Sequence, residues 1–243
     1  GDGYVFVNHP EAMRQIVTSD RSKYFASSKD NALLQPLVGD NSLLMIEGDR
    51  HKQRRKLLLP PFHGERMQAY GELICNLTRQ IIDQLEPNQA FAARHVTQEI
   101  SLQIILEAVY GLQDSDRSSE FKQRITRLAN IFESPLTSSF LFFPWLQKDL
   151  GAWSPWGNLM RQQKAIDEAI YQEIATRRTE DCSQRQDILS LMMSARDESG
   201  EAMKDYELRD ELMTLMLAGH ETTATAIAWG LYWLYRYPEI KAK

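Results

Sequence analysis

Cysteine is scarce: the 243 residues hold two, Cys75 and Cys182, far apart and at no zinc or redox spacing. That excludes a disulfide scaffold and points to a reducing compartment. Neither sign of charge predominates, since 28 Lys and Arg against 33 Asp and Glu leave a net −5. So mild an acidity excludes a general nucleic-acid binder and leaves only local basic patches open. Glycine and proline are sparse, at 12 and 9, which removes collagen-like and low-complexity chains. No 20–50-residue period recurs. The opening Gly1-Asp2-Gly3-Tyr4 has neither an initiator Met nor a signal-peptide pattern.

With 43% hydrophobic residues, the chain has ample material for a core. Tyr4 to Val7 reads as a short strand entered midway, and Pro10 then opens a helix through about Val17. Helical periods follow over about Asp49–Leu59, Gly64–Gln84, Arg94–Tyr110, Arg117–Phe132, Gly157–Arg178, Arg185–Ala195 and Lys204–Tyr235. Leu73, Leu77, Ile81 and Leu85 mark one such stripe. Pro60-Pro61, Glu86-Pro87-Asn88, Gly111 and Ser199-Gly200 punctuate them. The reading is a mainly α chain with a minor N-terminal β element and one long central helix.

That helix is nearly uncharged from Leu212 to Tyr235, long enough for a bilayer. Its centre nevertheless reads Gly219-His220-Glu221-Thr222-Thr223, and an ionisable residue at mid-membrane costs roughly 2.5–3.5 kcal/mol on insertion scales. The helix also runs back through Asp205, Glu207, Arg209, Asp210 and Glu211. A central helix of a water-soluble fold accounts for both facts. A second apolar feature, Ser134–Trp156, carries Phe140, Phe142, Phe143, Trp145, Trp153 and Trp156 broken by prolines. It reads either as an irregular connection on the core or as an apolar lid or membrane-touching patch.

Two segments carry chemistry. His220-Glu221 begins like a zinc-protease motif, but Ala224 stands where the second ligand belongs, so that chemistry is excluded. Thr222 is spaced to donate to the Ala218 carbonyl four residues back. Such a bond loosens the helix beside Ala218 and Gly219, residues small enough for a planar cofactor and a diatomic ligand to approach. A carboxylate next to a hydroxyl, Glu221 next to Thr222, can relay protons. In the basic run Gly48–Lys56, His51 and Arg55 are four apart and share a face suited to a pair of carboxylates. Arg50, Lys52, Arg54 and Lys56 read as exposed, either solvated or facing an acidic partner.

Ala218-Gly219-His220-Glu221-Thr222-Thr223 resembles the oxygen-binding helix of the cytochrome P450 family. Gly48-x-x-His51-x-x-x-Arg55 followed by Phe62 resembles the helix of that family whose His or Trp and Arg bind haem propionates. Val5-x-Val7-Asn8-His9-Pro10-Glu11 is similar to its early strand-into-helix, and Tyr237-Pro238-Glu239-Ile240 to the helix after the oxygen-binding one. The four segments stand in family order. The family's Cys loop, Phe-x-x-Gly-x-x-x-Cys-x-Gly, and its downstream Glu-x-x-Arg are not found. Gly71-x-x-x-Cys75 copies part of the loop, but Gln68 and Leu77 replace its Phe and final Gly. Glu11-x-x-Arg14 has the right letters at the wrong end.

The resemblance implies one incomplete P450 domain over residues 1–243, truncated at both ends, with the axial thiolate outside this chain and no metal ligand within it. It implies a haem-dependent monooxygenase in the complete protein, inactive as this piece alone. Glu221 and Thr222 would be catalytic, and His51, Arg55, Ala218 and Gly219 would bind haem. Electrons would come from NAD(P)H through a ferredoxin- or flavoprotein-type donor. Dioxygen and a lipophilic substrate, such as a fatty acid or terpenoid, would complete the reaction. The location expected is cytoplasmic or peripheral to a membrane. Rivals are a peroxide-using or isomerase relative on the same fold, an inactive truncated product, and a helical nucleic-acid-binding module. The last lacks base-stacking aromatics around Arg50–Lys56.

Overall fold

A computed structural model describes residues 5–19, 31–112, 116–133, 143–182 and 184–241. Ten α-helices run through these residues: α1 Pro10–Thr18, α2 Gln35–Val38, α3 Gly48–Leu58, α4 Glu65–Ile82, α5 Ala93–Ile104, α6 Asp116–Glu133, α7 Pro155–Thr179, α8 Ile188–Ser194, α9 Asp205–Arg236 and α10 Pro238–Lys241. The expected helices are present, most of them with ends shifted by one to three residues, as fraying ends allow. The four-residue α2 carries no amphipathic period and was not anticipated. α5 passes directly into a π-helical turn over Ile105–Val109.

No strand forms among the described residues; the nearest approach is an isolated bridge between Arg196 and Ala202. Val5, Phe6 and Val7 are unpaired and exposed, so the expected β element is not formed over the part of Tyr4–Val7 that is described. A strand requires a neighbour to satisfy its ladder, and none reaches it among the described residues.

α9 packs along α5 and also meets α2, α7 and the π turn. Their shared core holds Leu106, Tyr110, Leu159, Ile166, Ile170 and Leu212, each buried to within 1%. On α7 the stripe Leu159, Ile166, Ile170 and Ile174 has the 3–4 spacing of a single buried face. The stripe on α4 is confirmed at Leu77 and Ile81, which are buried, with Leu73 half-buried and Leu85 beyond the helix end.

A buried ionic clamp joins three segments of this core, α7, the start of α8 and the turn at Tyr110. Arg177, 2% exposed, reaches Glu173 at 2.8 Å, Asp187 Oδ1 and Ser190 Oγ each at 2.8 Å, and the Tyr110 carbonyl at 2.6 Å. Asp187 also caps α8 by accepting from the Ser190 amide. Burial alone would raise its carboxyl, but the Ser190 amide, Arg177 and Arg185 together hold it below the usual range.

The aromatic stretch divides. Residues 134–142 lie outside the described residues; of the rest, Phe143, Trp145 and Trp153 are exposed while Trp156 is buried in the first turn of α7. No described helix is long and apolar enough to cross a membrane. The charges at the start of α9 are largely internal. Arg209, Asp210 and Glu211 are buried, and Arg209 is held by Asp167 at 2.6 Å and Asp210 at 2.8 Å.

Candidate functional site

Midway along α9 three consecutive carbonyls accept side-chain hydroxyls. Thr222 Oγ1 donates to the Ala218 carbonyl, as its spacing predicts. Ser101 of α5 lies 3.1 Å from the Gly219 carbonyl and 2.9 Å from that of His220, its one proton shared between them. Ala218, Thr222 and Ala226 are all exposed. Spaced by four, they form one stripe of small side chains on the open side of the helix.

Gly219 faces the other way. A Cβ there would stand 2.7 Å from Ile105 Cδ1, so its smallness serves the packing of α9 on the π turn. The sequence reading placed that space at the disposal of a cofactor; the structure gives it to Ile105, and Ala218 alone of the two faces the open side.

The carboxylate of Glu221 is half-buried beside α5. It accepts from Gln98 Nε2 at 2.8 Å and pairs with Arg94 Nη2 at 3.2 Å. His220 is buried, with Nε2 3.7 Å from Glu221 and no hydrogen-bond partner for Nδ1 among the described residues. Burial lowers the tendency of its imidazole to take a proton, and Glu221 opposes this only in part. Arg94, Gln98, Ser101 and Ile105 thus form a single face of α5 directed at α9. Sequence reasoning missed them, although their spacing of four, three and four was the available signal.

α3 carries the other pair. His51 is half-buried and Arg55 exposed. Arg54 departs from expectation. It is 6% exposed, with Nη2 donating to Glu207 and Nη1 3.6 Å from Glu211. It therefore offers no charge to an outside partner. Lys52 and Lys56 remain on the surface, paired with Asp49 at 2.7 Å and Glu198 at 2.8 Å, and Arg50 donates to Asn41. The run is a partly internal, largely neutralised helix rather than an open basic patch.

A planar macrocycle with two propionate arms needs a flat strip of small side chains and cations beyond one edge. The Ala218–Thr222–Ala226 stripe and the exposed guanidinium of Arg55 next to His51 meet those needs. α3 docks on α9 at Glu211, seven residues before Ala218, about 10 Å at 1.5 Å per residue. The donor set fits haem at its distal face and propionate edge. Among the described residues no cluster of three His, Cys, Asp or Glu could hold a metal, and Gly71 and Cys75 lie inside α4 rather than in a loop.

The cytochrome P450 family model matches residues 1–243. The chain belongs to the cytochrome P450 family. It is 35% identical over 240 residues to cytochrome P450 135B1 of Mycobacterium tuberculosis, covering 98% of this chain and 49% of that protein. Cytochrome P450 135A1 of the same organism is 32% identical over 243 residues, 100% of this chain and 53% of the relative. The chain therefore spans about half the length of the curated P450s it matches. Among solved structures, retinoic acid bound cyanobacterial CYP120A1 superposes with a TM-score of 0.77 at 19% identity, over 95% of this chain and 50% of that one. The heme domain of cytochrome P450DA gives 0.71 at 21%, over 86% and 45%. Such likenesses bear on the fold, which is that of a P450. The family is one of haem-dependent oxidoreductases, and the motifs on α3 and α9 occupy this chain in the order the family has them.

Proposed function

We propose that residues 1–243 form the distal half of a single P450 domain whose whole protein is a haem monooxygenase acting on a lipophilic organic substrate. The observation that carries this reading is the open stripe at Ala218 and Thr222, with the Thr222 hydroxyl seated on the Ala218 carbonyl and the Glu221 carboxylate one residue away.

Haem, when bound, supplies a redox-active iron at which dioxygen is reduced and one of its atoms delivered to the substrate. His51 and Arg55 would hold the propionates, Arg55 through its fork of donors. Ala218 keeps the helix surface low enough for the macrocycle and a small ligand to lie against it. Thr222 Oγ has its one proton on the Ala218 carbonyl, so on its open side it would accept a hydrogen bond, and it would pass a proton forward only by giving up that contact. Glu221, kept at the solvent-accessible side of α5 by Arg94 and Gln98, would exchange protons with water and return them to Thr222. Apolar neighbours on the same side, Ala226 and Ile227, suit a lipophilic substrate. Arg50, Lys52 and Lys56 leave a weakly basic outer face on α3 for a ferredoxin- or flavoprotein-type donor drawing on NAD(P)H. The location we propose is cytoplasmic or peripheral to a membrane.

The test is Thr222→Ala in the whole haem-loaded protein. Haem content should hold while electrons divert from product to hydrogen peroxide. An unchanged ratio of product to electrons consumed would remove Thr222 from the proton path.

A further inference from the structure

α3 is an unusual helix to find at a binding site, because apolar burial hardly holds it. Of its eleven residues only Arg54 and Leu58 are buried. Leu58 sits in the last turn and anchors the C-terminal end. The middle of the helix is held by Arg54, whose two terminal nitrogens address two different carboxylates of α9, Glu207 and Glu211. Burial of one leucine in the last turn fixes rotation about the helix axis only loosely; a guanidinium fork between two fixed carboxylates fixes it by direction and distance.

The carboxylates are themselves fixed. Glu207 accepts from the Lys204 amide at 2.9 Å, and Glu211 from the Leu43 amide at 3.2 Å. The loop leading into α3 is tied to the same face of α9. Asn41 donates to Asp210 from its amide at 2.9 Å and its side chain at 3.0 Å, and Ser42 shares a hydrogen bond of 2.6 Å with Thr214. Glu207, Asp210, Glu211 and Thr214 are spaced by three, one and three, a polar stripe that seats residues 41–54 as a unit.

At 100° per residue, Arg55 lies about 100° and His51 about 60° from Arg54 around the axis, whereas Lys52 and Lys56 lie on the far side. A rotation of α3 that slackened the Arg54 contact would swing His51 and Arg55 together. We propose that Arg54 is a positioning residue: clamped by Glu207 and Glu211, it sets the rotation and depth of α3, and through them the reach of His51 and Arg55 toward an anionic edge of the cofactor. This rests on the haem reading above.

The test uses the whole protein loaded with haem and two readouts, the rate of haem transfer to an excess of haem-free globin and hydrogen exchange of the α9 amides around Glu207–Thr214. Arg54→Met should speed haem transfer by about tenfold or more, the scale set by one lost charged hydrogen bond, and should speed amide exchange because the half-buried Glu207 and the buried Glu211 lose their shared cation. Arg54→Met combined with Glu207→Gln and Glu211→Gln removes those charges while keeping both amide acceptors. In that triple variant, exchange should return to the parent level while haem transfer stays about tenfold fast. Arg54→Lys, which can satisfy one carboxylate at a time, should fall between parent and Arg54→Met.

Haem transfer that recovers along with exchange in the triple variant would reduce Arg54 to a stability element and overturn the proposal, as would parent-like transfer in Arg54→Met. The companion variant His51→Ala with Arg55→Ala separates this failure from that of the haem reading. Fast transfer there with no effect at Arg54 defeats the positioning role alone. Parent-like transfer there defeats the propionate assignment and the positioning role together.

Discussion

Ile105 occupies the place where a side chain on Gly219 would stand, its Cδ1 2.7 Å from that absent Cβ. Ile105 begins the π turn that extends α5, so an irregular turn and a glycine meet where the motif-bearing stretch of α9 starts. Since the clash involves the tip of a side chain, Gly219→Ala should be tolerated after a rotamer change at Ile105. The helix-propensity gain of up to about 1 kcal/mol offsets most of the crowding. Gly219→Val should destabilise by about 1–3 kcal/mol, and Ile105→Ala should rescue it. A double-mutant cycle on urea midpoints checks this; additive effects would mean the two positions do not touch in solution.

Ser101→Ala removes the hydroxyl that serves the Gly219 and His220 carbonyls from a site only 3% exposed. Stability should fall by about 1–3 kcal/mol, and hydrogen exchange should quicken at α9 amides just beyond His220 rather than at the helix start. Uniform change along α9 would show that Ser101 contributes only general packing.

Most of the helical frame was legible because amphipathic period and turn residues are local signals. Pro60-Pro61 follows directly on the end of α3, and Glu86-Pro87-Asn88 lies just beyond α4, which ends at Ile82. The acid-alcohol pair was legible for the same reason, since Thr222 and Ala218 are neighbours on one helix. Arg54 was not. In a run of Arg, Lys and His no periodicity separates a buried cation from its solvated neighbours, and its partners Glu207 and Glu211 lie about 150 positions away. Ser101 was hidden likewise, a lone hydroxyl whose acceptors belong to another helix. Val5 to Val7 failed as a strand because strand character is completed only by a neighbour.

Burial pushes the Glu211 carboxyl from its ordinary 4.5 up to about 7, against the Leu43 amide and Arg54. Between those values the folded state binds the proton more tightly than the unfolded chain. Stability from this group is therefore full below about pH 4.5, declines as pH rises toward 7, and is flat beyond. Glu211→Gln should abolish that decline, so the gap in urea midpoint between variant and parent should move in the variant's favour from pH 5 to pH 8. A gap independent of pH would place Glu211 as ionised throughout.

Arg177 should behave as a clamp rather than a surface ion pair. Arg177→Met removes the buried cation 2.8 Å from both Glu173 and Asp187 and leaves Asp187 only the half-buried Arg185 at 3.1 Å, at a cost of about 3–5 kcal/mol. Arg177→Lys should lose nearly as much, because an ammonium cannot reach Glu173, Asp187 and the Tyr110 carbonyl together. A thermal midpoint within a degree or two of the parent for either variant would contradict the buried geometry.

Trp229, Tyr232, Trp233, Tyr235 and Tyr237 stand exposed over the final turns of α9 and the approach to α10, between 42% and 69% of their surface open. Four of them pack in series, Trp229 on Tyr232 at 5.5 Å, Tyr232 on Trp233 at 5.2 Å and Trp233 stacked on Tyr237 at 5.8 Å. A large apolar side chain left wet forfeits roughly 1.5–3 kcal/mol of burial, and a domain's whole stability is about 5–15 kcal/mol. Residues 1–243 expressed by themselves should therefore bind hydrophobic dyes strongly and self-associate, with far-ultraviolet helicity retained. The same material should fail to ligate haem iron by thiolate. Cys75 is exposed on α4, and Cys182 donates to the Arg177 carbonyl at 3.3 Å on the far side of the ionic clamp. Mixed with haem, then reduced under carbon monoxide, it should lack the absorption band that marks a thiolate ligand. Such a band, lost in Cys75→Ser or Cys182→Ser, would show that one of these sulfurs reaches the iron and that the α4 segment rearranges to resemble the Cys loop it only partly spells.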